Sequence, residues 1–140
     1  MPWRTQMIES TLLLIKPDAV KNRKIGNIIS IIEKNDFVIK DIKYFRFDEK
    51  LIDIFYKDHI GKSFFHKLKT FMLSGDTVAL KLEGDNAIER LRQVNGDANP
   101  NKRKSGTIRA LYAESITANA VHSSDSKTNA KRELEIIFGN

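Results

Sequence analysis

Residues 11–34 read TLLLIKPDAVKNRKIGNIISIIEK, and the order of residue types in that stretch decides the fold. Residues 11–15 make a continuous, essentially apolar run of strand length. It ends at Lys16-Pro17-Asp18, where proline, unable to donate to a sheet ladder, closes the strand. Ile25, Ile28, Ile29 and Ile32 then recur at helical spacing, which predicts an amphipathic helix over residues 22–34. Asn35 and Asp36 break it. Residues 37–47 are rich in β-branched and aromatic side chains and read as a long strand.

Outward from there the alternation continues. Residues 51–58 and 63–72 read as two short helices hinged near Gly61, followed by a turn at Ser74-Gly75-Asp76 and a strand over 77–82. Residues 86–94 are helical again, with Ala87, Ile88 and Leu91 on one face. Residues 95–109, NGDANPNKRKSGTIR, form a loop of a length that is usually functional or disordered. A short helix over 111–118, a last strand over 120–123 and a last helix over 125–137, capped by Ser124 or Asp125, complete the chain. Residues 1–9 read as a short N-terminal extension and 10–140 as a single domain. Two β-α-β passes with an extra helix pair predict an α+β fold: a ferredoxin-like split β-α-β sandwich whose four-stranded antiparallel sheet carries packed helices. An open parallel Rossmann-type sheet competes, but no glycine-rich turn follows the first strand.

Composition narrows the function classes. At 140 residues, 41% hydrophobic and 30% charged, the chain can bury a real core and is not disordered in composition. No apolar run reaches the roughly 20 residues that cross a bilayer, and no secretory signal is evident, so a cytoplasmic, non-membrane protein is expected. The absence of cysteine excludes disulfides and thiolate chemistry. A net charge of +6 attracts anions, from nucleic acid to phosphorylated metabolites. The basic runs at 21–24 and 102–104 are too short to mark a nucleic-acid patch, so that partner stays open but is not required.

The chemistry concentrates at Asn119-Ala120-Val121-His122-Ser123-Ser124-Asp125-Ser126, with Glu133 further along the helix that follows. Imidazole is a competent nucleophile near neutral pH, with an unperturbed pKa of about 6.5. A carboxylate on one ring nitrogen fixes the tautomer and leaves the other lone pair free to attack. Neither a P-loop nor a GxGxxG is present.

In order along the chain stand LLIKPDAV, the aromatic residues around Tyr56 and Phe64, Ser74-Gly75, EG.NAI, R…G.xNP, GTIR and NAVH.SDS with its distal Glu133. Together these motifs resemble the nucleoside diphosphate kinase family across nearly all of residues 11–138. The resemblance implies ping-pong transfer of the γ-phosphate of a nucleoside triphosphate, typically ATP, to a nucleoside diphosphate through a phosphohistidine, with broad base and sugar tolerance. It implies His122 as nucleophile, Glu133 as its orienting carboxylate, and Lys16 and Tyr56 beside them. Arg92 and Arg109 would clamp phosphates, a task suited to a planar, permanently charged fork of donors. Lys16 and Asn119 would meet the sugar side, and Phe64 would stack on the base opposite Ile116, with Leu68 at the same mouth. Mg²⁺ would arrive with the nucleotide phosphates rather than in a protein-built cage. A homo-oligomer, hexamer or tetramer, is implied as well.

Three positions depart from the family pattern. Ala98 stands where a threonine usually donates to a phosphate, Ser123 replaces the glycine after the histidine, and Ser63 stands where many relatives have proline. Serine at 123 would strain the nucleophile's mount if a glycine-only conformation were needed there. Two readings compete with the kinase: an impaired relative acting as a basic binding module, and a histidine phosphocarrier that donates to proteins. The second would not need a nucleoside-shaped pocket.

Overall fold

A computed structural model describes residues 8–139. The apolar run is buried because its strand is central. β1 (Ile8–Ile15) pairs antiparallel with β3 (Asp76–Asp85) on one side and with β4 (Val121–Ser123) on the other, and β2 (Val38–Arg46) adds to β3, giving the order β2-β3-β1-β4. Helices cover both faces, which is why the run does not alternate with polar residues. Leu13 and Ile15 enter one core with Ile28, Ile32, Leu80 and Leu91. Leu12 and Leu14 enter the other with Phe47, Ile52, Met72 and Leu134. Helices α2 (Ile25–Lys34) and α5 (Ala87–Asn95) supply the first layer. Helices α3 (Glu49–Phe55), α4 (Phe65–Leu73) and α7 (Lys127–Phe138) supply the second. The α+β, four-stranded antiparallel sandwich expected from the sequence is the observed fold.

Several boundaries differ. Strand β1 begins inside the predicted extension, since Ile8 pairs with Asp85 and Glu9 with Gly84; residues 1–7 of that extension lie outside the described residues. The helix expected over 22–34 is present as α2, starting at Ile25, and an unforeseen short helix precedes it. Pro17 opens a separate α1 (Pro17–Lys21), its missing N–H being one of the donors a first turn leaves unpaired anyway, and Arg23 turns the chain at φ 61° before α2. The last helical stretch before the nucleophile is α6 (Ile108–Tyr112), which begins within the predicted loop and overlaps the predicted helix only at 111–112, because the Thr107 hydroxyl caps it by accepting from the Ala110 N–H. Residues 115–118 form a turn rather than a helix: Ser115 Oγ accepts from the N–H groups of Thr117 and Ala118. Helix α7 is capped by Ser126, not by Ser124 or Asp125, and Ser124 is left for another partner.

Candidate active site

The short strand β4 places His122 opposite Leu14 at the edge of the sheet. Its entry is an unusual turn. Ala120 has φ 75°, and the Val121 N–H donates back to the Asn119 carbonyl at 2.9 Å. Such a conformation costs a non-glycine residue on the order of 1–3 kcal/mol and persists only where the surroundings impose it. Here the Ala120 N–H donates to buried Asp18 Oδ2 at 3.0 Å, and its carbonyl accepts from the Lys16 N–H at 2.8 Å. Burial holds the Asp18 carboxyl above the usual carboxylate range, opposed by that hydrogen bond. Asp18 therefore fixes the backbone leading to the histidine, a role the sequence reading missed.

Glu133 reaches back from α7 as the spacing implied. His122 Nε2 lies 3.1 Å from Glu133 Oε1, which also accepts from Ser124 Oγ at 2.7 Å. Both Glu133 and Ser124 are buried, whereas the His122 side chain keeps 20% of its surface exposed. The ring packs edge-on against Phe55 and Tyr56, centroids 5.2 and 5.8 Å away. It opens into a cavity of about 240 Å³ shared with His59, Asp125 and Arg132. Tyr56 is held neutral: burial, then the Glu133 charge, push its phenol pKa up, and its hydroxyl has no hydrogen-bond partner among the described residues. Ser123 adopts ordinary strand geometry opposite Leu13, so position 123 imposes no glycine-only conformation.

The basic residues gather next to this cavity. Lys16 Nζ donates to Asn119 Oδ1 at 2.9 Å, and both side chains are buried. Arg109 donates from Nη1 to the Gly96 carbonyl at 2.7 Å and from Nη2 to the Val121 carbonyl at 2.8 Å. The second bond ties Arg109 to the residue immediately before His122. Gly96, at φ 87°, has no room for a side chain because Thr107 fills the space. Arg92, Ala98 and Arg109 line an open cavity of about 510 Å³ that also takes in Lys102 and Lys104.

These cations repel one another. Burial, then Arg109, lower the Lys16 pKa to about 8, with Asp18 opposing. Burial, then Arg103 and Arg92, lower that of Arg109 to about 10, with Asp97 opposing. A buried ammonium crowded by a half-buried guanidinium is an arrangement that a bound anion relieves. Arg92 also reaches electrostatically to the histidine's cavity. The Asp125 carboxyl there is held below its usual range by the Asn129 amide first, with Arg92 a smaller cause.

Phe64 and Ile116 stand 49% and 61% exposed, unusual for large apolar side chains, while Leu68 is half-buried against the second core. His59, also missed in the sequence, stacks on Tyr56 at 5.8 Å and meets Phe64 edge-on at 5.2 Å, linking the nucleophile's wall to the aromatic mouth. The structure thus brings together His122, Glu133 and Tyr56, joins Lys16 to Asn119, gathers Arg92, Ala98 and Arg109 around one cavity, and links Phe64 to the first group through His59.

The nucleoside diphosphate kinase family model matches residues 9–140. The chain belongs to the nucleoside diphosphate kinase family. It is 48% identical over 132 residues to a nucleoside diphosphate kinase of Actinobacillus pleuropneumoniae, covering 94% of this chain and 96% of that one. Against the Chlamydia caviae nucleoside diphosphate kinase it is 45% identical over 131 residues, covering 94% and 93% of the two chains. The nucleoside diphosphate kinase crystal structure from Aquifex aeolicus superposes with a TM-score of 0.91 at 37% identity, covering 94% and 95% of the two chains. That of Halobacterium salinarum, solved in complex with CDP, superposes at 0.90 with 32% identity and 94% and 88% coverage. Within this kinase, no described helix is long and apolar enough to cross a membrane.

Proposed function

We propose that this nucleoside diphosphate kinase carries the transferred phosphoryl group on Nδ1 of His122. One observation supports that choice of atom: Nε2 is already engaged by Glu133. In the neutral ring Nε2–H donates to the carboxylate, and Nδ1 keeps its lone pair. Nδ1 attacks the γ-phosphorus of a nucleoside triphosphate, the bond from phosphorus to the β–γ bridging oxygen breaks, and the diphosphate leaves with that electron pair. The ring becomes cationic, and Glu133 stabilises it. In the second half a β-phosphate oxygen of another diphosphate attacks phosphorus, and the N–P bond breaks to restore the neutral ring. Arg92 and Arg109 stabilise charge on the equatorial oxygens of the transferred group.

Lys16 and Asn119 hold the sugar and phosphate region, and Tyr56 walls the nucleophile. Phe64 stacks on the base opposite Ile116, with Leu68 beside them. Stacking reads any π-face, so base tolerance is broad. Magnesium enters as part of the substrate, bound by nucleotide phosphates. Among the described residues no group of three or more histidines or carboxylates is placed to hold a metal. A cytoplasmic homo-oligomer, hexamer or tetramer, fits the edge strand β2, whose Val38, Ile42 and Tyr44 are exposed.

Incubation with γ-labelled ATP tests the reading. An acid-labile phosphoenzyme should form and discharge into triphosphates on addition of ADP, GDP, CDP or UDP. A label that ignores every diphosphate would mark a protein phosphocarrier instead. Ala98 tunes affinity. Losing a hydroxyl donor to a charged phosphate removes roughly 1.5–3 kcal/mol, so Ala98→Thr should lower KM by about 10- to 150-fold. Because that contact exists in both ground and transition states, kcat should hardly move. An unchanged KM would refute this account.

A further inference from the structure

Arg103 lies between the motifs and is not a member of any of them, yet its guanidinium donates to three backbone carbonyls in two separate segments. Nε donates to the Asp97 carbonyl at 3.0 Å, and Nη2 donates to the Ala98 carbonyl at 2.9 Å and the Ser115 carbonyl at 3.1 Å. The first two acceptors belong to the segment beside the phosphate cavity. The third directly precedes Ile116, the exposed side chain opposite Phe64 in the proposed base mouth. On the other side of Ile116 its own carbonyl accepts from Asn119 Nδ2 at 3.0 Å. The base-side turn is therefore fastened at one end to the sugar-side amide and at the other, through Arg103, to the phosphate-side loop.

The geometry points to Arg103 as a positioning residue that sets the separation between the phosphate side and the base side of the nucleotide site. This rests on the reading of that site given above. A guanidinium suits the task because its donors lie in one rigid plane and reach carbonyls from two segments at once. A lysine ammonium at the end of a flexible stem keeps the charge but not the fork. The consequence is selective. A whole nucleotide must touch both sides together and gains from their fixed separation, whereas a bare phosphate chain touches one side only. Arg103 also adds charge near Arg109, where it is the first charged group lowering that guanidinium's pKa. A pure charge role and a positioning role are separable on this basis.

Arg103→Ala and Arg103→Lys, each with its thermal midpoint measured, provide the test, with steady-state kinetics for GDP and competitive inhibition by tripolyphosphate. Arg103→Ala should raise KM for the nucleotide by about tenfold while kcat stays within about threefold. Tripolyphosphate inhibition should weaken much less. Arg103→Lys should behave like Arg103→Ala, and millimolar guanidinium ion should restore Arg103→Ala in part. The proposal is overturned if KM is unchanged, or if nucleotide and tripolyphosphate weaken in step and lysine restores both. If Arg103→Ala does not fold, the Arg103→Lys kinetics decide alone. Failure of the underlying reading is distinct, since it would leave the unsubstituted protein without a phosphoenzyme.

Discussion

His122→Asn is expected to lower turnover on the order of 10⁴-fold or more, the scale seen when a covalent nucleophile is removed. No phosphoenzyme should form with γ-labelled ATP. Asparagine can keep a donor toward Glu133 but offers no ring lone pair, and no neighbouring group is placed to replace it. His59 lines the same cavity, but its ring is stacked on Tyr56 and edge-on to Phe64. Burial, first, lowers its pKa. The thermal midpoint should change little, because the His122 side chain is partly exposed and its carboxylate partner keeps the bond from Ser124 Oγ at 2.7 Å. Retention of even a tenth of the activity would move the nucleophile elsewhere.

The sequence was most legible where one residue type has one job. A central strand reads as an apolar run, and Leu12 to Ile15 are fully buried as that run requires. The histidine and its distal carboxylate were legible because a strand, a capped turn and one helix bring them together without any long-range event. What escaped depends on tertiary geometry. Asp18 looked like the end of a strand, yet its carboxylate accepts from Ala120 across the fold. Nothing local marks Ala120 as a positive-φ residue, since alanine has no intrinsic preference for that region. Arg103 was hidden in a basic run, and only the folded loop shows that its acceptors, Asp97, Ala98 and Ser115, lie in two separate segments. The short helix α1 was missed because Pro17 was read as a strand end and not as a helix start, while the isoleucine spacing marked only the helix that follows.

Arg109 carries the second large effect. Arg109→Ala removes a cation beside the proposed phosphate path and frees two backbone carbonyls, Gly96 in the loop and Val121 next to the nucleophile. Loss of a preorganised donor aimed at transition-state charge costs about 10²–10³-fold in turnover, and kcat should fall by that factor. Arg109→Lys should recover only part of it, because an ammonium cannot hold both carbonyls and a phosphate together. A second readout separates charge from position. Lys16 titrates at about 8, pushed down by burial and then by Arg109. Its ammonium is present below that pH and is lost as pH rises through it, so activity should decline on the alkaline side near pH 8. Removing the Arg109 charge relieves the repulsion, and in Arg109→Ala the alkaline limb should move to higher pH. In Arg109→Lys the charge remains and the limb should stay in place. If Arg109→Ala raises KM alone and leaves both kcat and the alkaline limb untouched, the guanidinium only binds the ground state, and its place in the transition state falls.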